Sequence, residues 1–216
     1  MNAPGRDRED LAAFVLRLRS ERIADTRLIE AVEAVPRRLF VPKDVPNAYG
    51  DHSLPIDCGE TMPSALKAVR LVDALRLEAG HRVLEVGTGS GYVTALLSRL
   101  ARKVVSMERY RRLIEAAESR LKLAGGPAAT IVREDGREGY PQMAPFDRII
   151  VHAAYEAVPR RFLEQLVPHG IAICAVGPGD GAQNLVRLTK VGSRFEREDI
   201  GTVRYQPLAF GTAAML

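Results

Sequence analysis

The chain opens on apolar positions spaced like one face of a helix: Leu11, Phe14, Val15 and Leu18 within residues 8–20. Asp25 or Thr26 can cap a second helix that carries Leu28, Ile29, Val32 and Val35, and Pro36 ends it. Periodicity then lapses over residues 40–64, FVPKDVPNAYGDHSLPIDCGETMPS. A stretch this long without a period is either disordered or functional, and its apolar and aromatic residues argue against disorder. From residue 65 the pattern is regular. It predicts a helix over 65–77, a short buried strand in HRVLEVG, and a helix over 91–102 with Val93, Leu96, Leu97 and Leu100 on one face. A strand in KVVSME follows, then a helix over 110–124 stopped by Gly125 and Gly126. Strands are next expected in ATIVRED and FDRIIVHAA, a helix over 159–167, a strand in GIAICAVG, and two closing strands, QNLVRLTKVG and DIGTVRYQPLAF, with no helix between them.

Strands that alternate with helices and read as unbroken apolar runs describe a parallel sheet covered on both faces. The expected class is α/β: a Rossmann-like, doubly wound, mainly parallel sheet with antiparallel C-terminal edge strands and an N-terminal helical cap. A chain of 216 residues suits one domain, and 46% apolar residues exclude a disordered one. No apolar run is long enough to span a bilayer, and MNAPGRDRED has no apolar core of a signal peptide, so a soluble cytoplasmic protein is expected. The net charge of +4, with signs interspersed, does not call for nucleic acid. The basic cluster Arg109–Arg112 reads as a solvated helix start. Cys58 and Cys174 read as free thiols, and the four histidines have no metal-ligand spacing, so no metal is expected.

The chemistry concentrates in LEVGTGSGY. Gly87, Gly89 and Gly91 fall at the first strand-to-helix turn of the regular region, where open α/β sheets bind ligands. Lacking Cβ atoms, they permit a tight turn and close backbone approach; simple strand-to-helix packing would also use such glycines. A dinucleotide fingerprint, G-x-G-x-x-G, would need its third glycine at Tyr92. Here the unit is E-x-G-x-G-x-G, led by Glu85. A carboxylate would repel a diphosphate and attract an ammonium group. S-adenosylmethionine carries an ammonium group, a sulfonium and no phosphate. Glu108 ends the next strand, 23 residues after Glu85, where a carboxylate can accept both ribose hydroxyls. Asp135, beside Gly136, ends the third and can accept from an adenine amino group. Strand-end acids often only cap the next helix, but three in succession with the glycines form a joint signal. The candidate cofactor residues are therefore Glu85, Gly87, Thr88, Gly89, Ser90, Gly91, Glu108, Arg109, Asp135 and Gly136.

With these residues in hand, the sequence resembles the class I S-adenosylmethionine-dependent methyltransferases, and more specifically the protein-L-isoaspartate O-methyltransferase family. The matching stretches are VPRRLFVP, AYGDHSLPIDCGET, VLEVGTGSGY, Asp135-Gly136, PFDRIIVHAA and VRYQPL, spanning residues 35–208. The glycine motif marks the superfamily; the AYGDHSLPI…GET loop marks the family. The resemblance implies transfer of a methyl group from S-adenosylmethionine to the carboxylate of L-isoaspartyl residues in damaged protein, as a repair step. It also implies one methyltransferase domain over 1–216, with N-terminal helices and substrate loop in 1–64 and the cofactor-binding core in 65–216. The family loop reads G-Q-T-I-S, whereas this chain reads Gly59-Glu60-Thr61-Met62-Pro63, so the family's active-site serine falls on Pro63. Thr61 and the neighbouring Ser64 are the catalytic candidates; Ser64 also reads as a helix N-cap. His152 replaces a threonine after the fourth strand of the regular region, and Ala209 replaces another after the closing P-L. The expected partner is a damaged protein or peptide; neither a membrane nor nucleic acid is expected, and the chain itself is expected to be a monomer or weak homodimer. Two other classes stand beside this reading: a methyltransferase for another acceptor (a different carboxylate, a small molecule or RNA), and a cofactor-binding protein without turnover.

Overall fold

The computed structural model describes residues 4–213. Helix α1 (Pro4–Ser20) leads to α2 (Thr26–Ala34), whose cap is Asp25: its Oδ1 accepts the Arg27 N–H at 2.9 Å. The aperiodic stretch is ordered by short elements. A 3-10 turn at Arg37–Leu39 precedes a two-stranded hairpin of β1 (Leu54–Pro55) and β2 (Thr61–Met62), with a second 3-10 turn, Asp57–Gly59, between them. One buried side chain holds it. Arg37 donates to the Ala48 carbonyl and the Pro63 carbonyl, each at 2.7 Å, and its guanidinium lies 4.4 Å from the Tyr92 ring centroid. The cation thus replaces water for the backbone carbonyls that a long loop would otherwise leave unpaired.

Next come α3 (Ala65–Ala74), β3 (Arg82–Val86), α4 (Tyr92–Leu100), β4 (Lys103–Glu108), α5 (Arg111–Ala124), β5 (Thr130–Arg133), β6 (Phe146–Tyr155), α6 (Arg160–Leu163), β7 (Leu166–Val176), β8 (Gln183–Val191) and β9 (Arg194–Val203). The seven strands from β3 onward form one sheet in the order β5-β4-β3-β6-β7-β8-β9. Pairing is parallel from β5 to β7 and antiparallel at β8 and β9, as the sequence pattern predicts. Strand order reverses between β3 and β6, so a crevice opens beyond their carboxyl ends. Side chains alternate between the two faces. Val83, Val104, Ile150 and Ile173 face a cluster shared with Leu18, Leu28, Val69 and Leu96, so the N-terminal helices belong to the same core as α3 and α4. Leu84, Val105, Ile149 and Cys174 face the other side, against Phe162 and Leu166.

Two expected elements differ. The helix over 159–167 is only Arg160–Leu163, because Leu166 already pairs with Phe146 as the start of β7. The last strand does not run over 199–210. It starts at Arg194 after a two-residue turn at Gly192-Ser193 and ends at Val203. The following segment crosses back over the sheet end: Ala154 donates to the Gln206 carbonyl at 2.9 Å, and Leu208 donates to the Ala154 carbonyl at 3.0 Å. Both cysteines are free. Among the described residues no helix is long and apolar enough to cross a membrane, and no group of three or more His, Cys, Asp or Glu is placed to hold a metal.

Candidate active site

The glycine turn closes the crevice from below. The Gly87 and Thr88 N–H groups both donate to the Met107 carbonyl, at 2.8 and 3.2 Å, folding the turn back over β4. All three glycines have positive φ: +95° at Gly87, +53° at Gly89 and +87° at Gly91. Their surroundings separate their roles. A Cβ at Gly91 would come within 3.2 Å of the Ala117 Cβ, so that glycine serves the packing of α4 on α5. At Gly87 it would meet His152, also at 3.2 Å, whereas at Gly89 only Ile56 comes near, at 3.4 Å. Gly89 therefore presents bare backbone to the cavity. Thr88 and Ser90 turn inward: Thr88 Oγ1 lies 2.6 Å from Ser106 Oγ, and Ser90 Oγ accepts the Tyr92 N–H at 3.4 Å.

The strand-end acids have distinct environments. Glu108 lines the cleft and is nearly buried. One oxygen accepts the Gly89 N–H at 3.0 Å; the other accepts those of Arg109 and Tyr110, at 2.8 and 3.1 Å. A carboxylate has about four acceptor positions, so roughly one, on the Gly89 side, stays open for a ligand hydroxyl. Burial holds its pKa above the ordinary carboxylate value, partly offset by those three N–H groups. Asp135 also lines the cleft and caps the 3-10 turn Gly136–Glu138. Its Oδ1 accepts the Arg137 N–H at 2.9 Å and its Oδ2 the Gly211 N–H at 2.7 Å. The C-terminal segment thus lies against the acid that the sequence points toward adenine. Gly136 has no room for a side chain, since a Cβ would sit 2.2 Å from Val86 Cγ1. Arg109 lines the same wall and donates to the Phe210 carbonyl at 3.2 Å.

Glu85 lies beneath the turn, fully buried. Its Oε2 accepts the Thr94 hydroxyl at 2.6 Å and the Ser106 hydroxyl at 2.7 Å, and its Oε1 is 3.1 Å from His152 Nε2. It shapes the field of the site from below and touches only a small side pocket of the crevice.

The opposite wall comes from the N-terminal loop. Ile56, Glu60 and Thr61 line the cleft, tied to the C-terminal crossing by the Gln206 amide, which donates to the Gly59 carbonyl at 3.1 Å. Thr61 is exposed and borders both the cleft and the side pocket. Ser64, the other candidate hydroxyl, lies apart from Thr61. Its hydroxyl donates to Asp51 and accepts the Lys67 N–H, both at 3.3 Å, and it lines neither cavity. It is the N-cap of α3. The basic cluster behaves as expected of a solvated helix start: Arg111 pairs with Glu115, and Arg112 reaches Asp57 in the loop, all on the surface.

Together these walls enclose one open cleft at the carboxyl ends of the strands, where open α/β sheets bind ligands. Its ionisable lining is mainly acidic: Glu60, Glu108, Glu134 and Asp135 against Arg109 and His152. That field suits a ligand with cationic groups and opposes a diphosphate. Sequence reasoning missed the imidazole's contact with Glu85 and the return of residues 206–209 into the lining. The first needs β6 beside β3; the second was hidden by reading VRYQPL as a continuing strand.

A family model described as protein-L-isoaspartate(D-aspartate) O-methyltransferase matches residues 9–213. The protein-L-isoaspartate O-methyltransferase of Azorhizobium caulinodans is 44% identical over 211 residues, covering 97% of this chain and 97% of that one. That of Xanthobacter autotrophicus is 43% identical over 205 residues, covering 94% of each. Among solved structures, a protein-L-isoaspartate O-methyltransferase superposes with a TM-score of 0.82 at 25% identity, covering 93% of this chain and 66% of that one. A Plasmodium falciparum protein of the same description, in complex with S-adenosyl-L-homocysteine, superposes with a TM-score of 0.77 at 21% identity, covering 91% and 97%; at that identity the likeness speaks for the fold.

Proposed function

The chain belongs to the protein-L-isoaspartate O-methyltransferase family, and from that premise we propose how its cleft carries out the reaction. The enzyme transfers the methyl group of S-adenosylmethionine to the carboxylate of L-isoaspartyl residues in damaged proteins, a repair activity. When bound, S-adenosylmethionine supplies an electrophilic methyl group on a sulfonium. The acceptor carboxylate is already a nucleophile at neutral pH, since carboxyl groups ionise near pH ~4. No general base is required, and the protein's task is positioning.

The residues present fit such a cofactor. The observation that carries this reading is the bare Gly89 backbone at the carboxyl end of β3, flanked by Glu108 and Asp135 at the ends of the next two strands, in one predominantly acidic cleft. Glu108 is assigned to a ribose hydroxyl through its open acceptor position, and Asp135 with Gly136 to the adenine end. Gly87 and Gly89 form the floor, and Arg109 the outer wall. Glu85, Thr88 and Ser90 hold the turn in shape from within, and Gly91 starts α4. Thr61, on the opposite wall, faces the acceptor. One domain is proposed over 1–216, with residues 1–64 supplying the acceptor wall and 65–216 the cofactor floor; the shared hydrophobic cluster supports this. A cytoplasmic monomer or weak homodimer fits the free cysteines and the scatter of the exposed large apolar side chains Leu16, Leu123 and Phe210.

Calorimetric titration with S-adenosylmethionine, S-adenosylhomocysteine and NAD tests the cofactor assignment, with binding of the first two and not the third expected. Labelled methyl transfer to paired peptides differing only in aspartyl or isoaspartyl linkage tests the acceptor. Incorporation is expected with the isoaspartyl peptide alone, and equal or absent labelling of the pair would refute the acceptor.

A further inference from the structure

We propose that His152 receives the methyl-accepting carboxylate, through an imidazole that Glu85 holds in place from below. This rests on the isoaspartyl methyltransferase reading. His152 Nε2 lies 3.1 Å from Glu85 Oε1, and the other Glu85 oxygen is occupied by the Thr94 and Ser106 hydroxyls. A carboxylate only accepts, so Nε2 carries the hydrogen. Glu85 is wholly buried, and His152 is its one ion-pairing partner among the described residues. An unpaired buried carboxylate is costly, and the imidazole is the group placed to pair with it. Nδ1 has no hydrogen-bond partner among the described residues, and the side chain keeps 13% exposure where it borders both cavities. As an imidazolium, His152 donates from Nε2 to Glu85 and from Nδ1 into the site.

The electrostatics single out this residue. In the side pocket beside Thr61, Met62 and Pro63, His152 is the only lining residue able to carry positive charge. The other cation of the crevice, Arg109, is held at the outer wall by the Phe210 carbonyl. Every other charged group lining the two cavities is an acid: Glu60 from the loop, Glu85 from β3, Glu108 from β4, and Glu134 and Asp135 beyond β5. An anionic acceptor entering beside Thr61 therefore finds its nearest attractive side chain in His152, with Arg109 away at the outer wall and acids elsewhere. In the transfer one carboxylate oxygen bonds to the methyl carbon while the carbon–sulfur bond breaks and its electron pair stays on sulfur. No proton moves. His152 holds the oxygen that does not attack, which keeps the nucleophilic lone pair free. The product ester is neutral, so the contact weakens as product forms. The effect falls on acceptor affinity more than on turnover.

The experiment compares the wild type with His152→Ala and His152→Gln. Steady-state KM and kcat are measured for an isoaspartyl peptide. Calorimetry in saturating S-adenosylhomocysteine gives affinities for that peptide and for its isoasparaginyl counterpart, in which an amide replaces the carboxylate. The wild type should prefer the acid by roughly 10-fold or more, the scale of a hydrogen bond to a charged group. His152→Ala should lose that preference and raise KM by a similar factor, with kcat within about threefold of wild type. S-adenosylhomocysteine affinity should be unchanged. His152→Gln keeps an N–H donor without the charge and should lie between. Absence of an acid-over-amide preference in the wild type overturns the proposal without any variant. So does an unchanged KM in His152→Ala, or a loss of S-adenosylhomocysteine affinity with the preference kept, which would place the imidazole on the cofactor. A wild type that binds S-adenosylhomocysteine but methylates no isoaspartyl peptide would instead refute the underlying acceptor assignment, and the role of His152 with it.

Discussion

The Glu108 carboxylate joins the cofactor floor to the end of β4 by accepting backbone N–H groups from Gly89, Arg109 and Tyr110. Glu108→Ala removes the open acceptor position and leaves those donors unpaired. It should weaken S-adenosylhomocysteine binding by about 1.5–3 kcal/mol, the range for a hydrogen bond to a charged group, and lower the melting temperature as well. Affinity equal to wild type would remove Glu108 from the ribose assignment. Ser64 should behave in the opposite way. As the cap of α3 it contributes to the fold, so Ser64→Ala should cost about 0.5–2 kcal/mol in denaturant unfolding while KM and kcat stay as they are. At this scale the acids at strand ends were legible, because a short apolar run followed by Glu or Asp and glycine places the carboxylate at the ligand end of a parallel sheet. Their partners were not. Glu85 and His152 meet across 67 positions only because β6 lies beside β3, and hydrophobic periodicity carries no information about strand order.

Glycines in two turns separate local conformation from packing. At Gly89 the backbone has φ +53°, and Ile56 is the one nearby neighbour. Gly89→Val would force a β-branched residue into the left-handed region at about 1–3 kcal/mol and push its methyl groups into the cleft. A folded protein that no longer binds S-adenosylhomocysteine is expected, read by thermal denaturation beside calorimetry. Gly136 is the reverse case: a Cβ would lie 2.2 Å from Val86 Cγ1 at the end of β3. Gly136→Ala should destabilise the fold by about 1–3 kcal/mol, as overpacking does, before binding is considered. Most elements were legible as such, since 3.6- and 2-residue periods differ clearly over ten residues. The failures have physical causes. Phe162, Leu163, Leu166 and Val167 suit a helix face and a buried strand equally, so the end of α6 and the start of β7 were merged. The edge strand β9 opens on the charged run Arg194, Glu196, Arg197, Glu198 and Asp199, which conceals a strand whose backbone pairs on one side only.

Across the whole molecule, acids gather around one cleft, and this links binding electrostatics to the pH dependence of the fold. Burial and the nearby charge of Glu108 raise the pKa of Glu60, while burial raises that of Glu108 against its three N–H donors. As pH rises through the carboxylate range, the unfolded chain releases these protons first. The folded state then binds more protons than the unfolded one, so these two groups lower stability with rising pH. The loss begins near the ordinary glutamate value, about 4.3, and is complete above the raised folded values. Asp51 has the opposite sign because Arg17 lowers its pKa, but both partners are well exposed and their pairing contributes little. Glu60→Gln keeps the shape of the loop residue and removes one of the two like charges. Its melting temperature should exceed that of wild type at pH 7, and the gap should close as pH falls below about 4, where the wild-type side chain becomes neutral. Thermal denaturation of both proteins across that range decides the matter: a constant offset at every pH would mean that the amide acts by packing, and a lower melting temperature at pH 7 would mean that the Glu60 carboxylate is stabilised in the folded cleft.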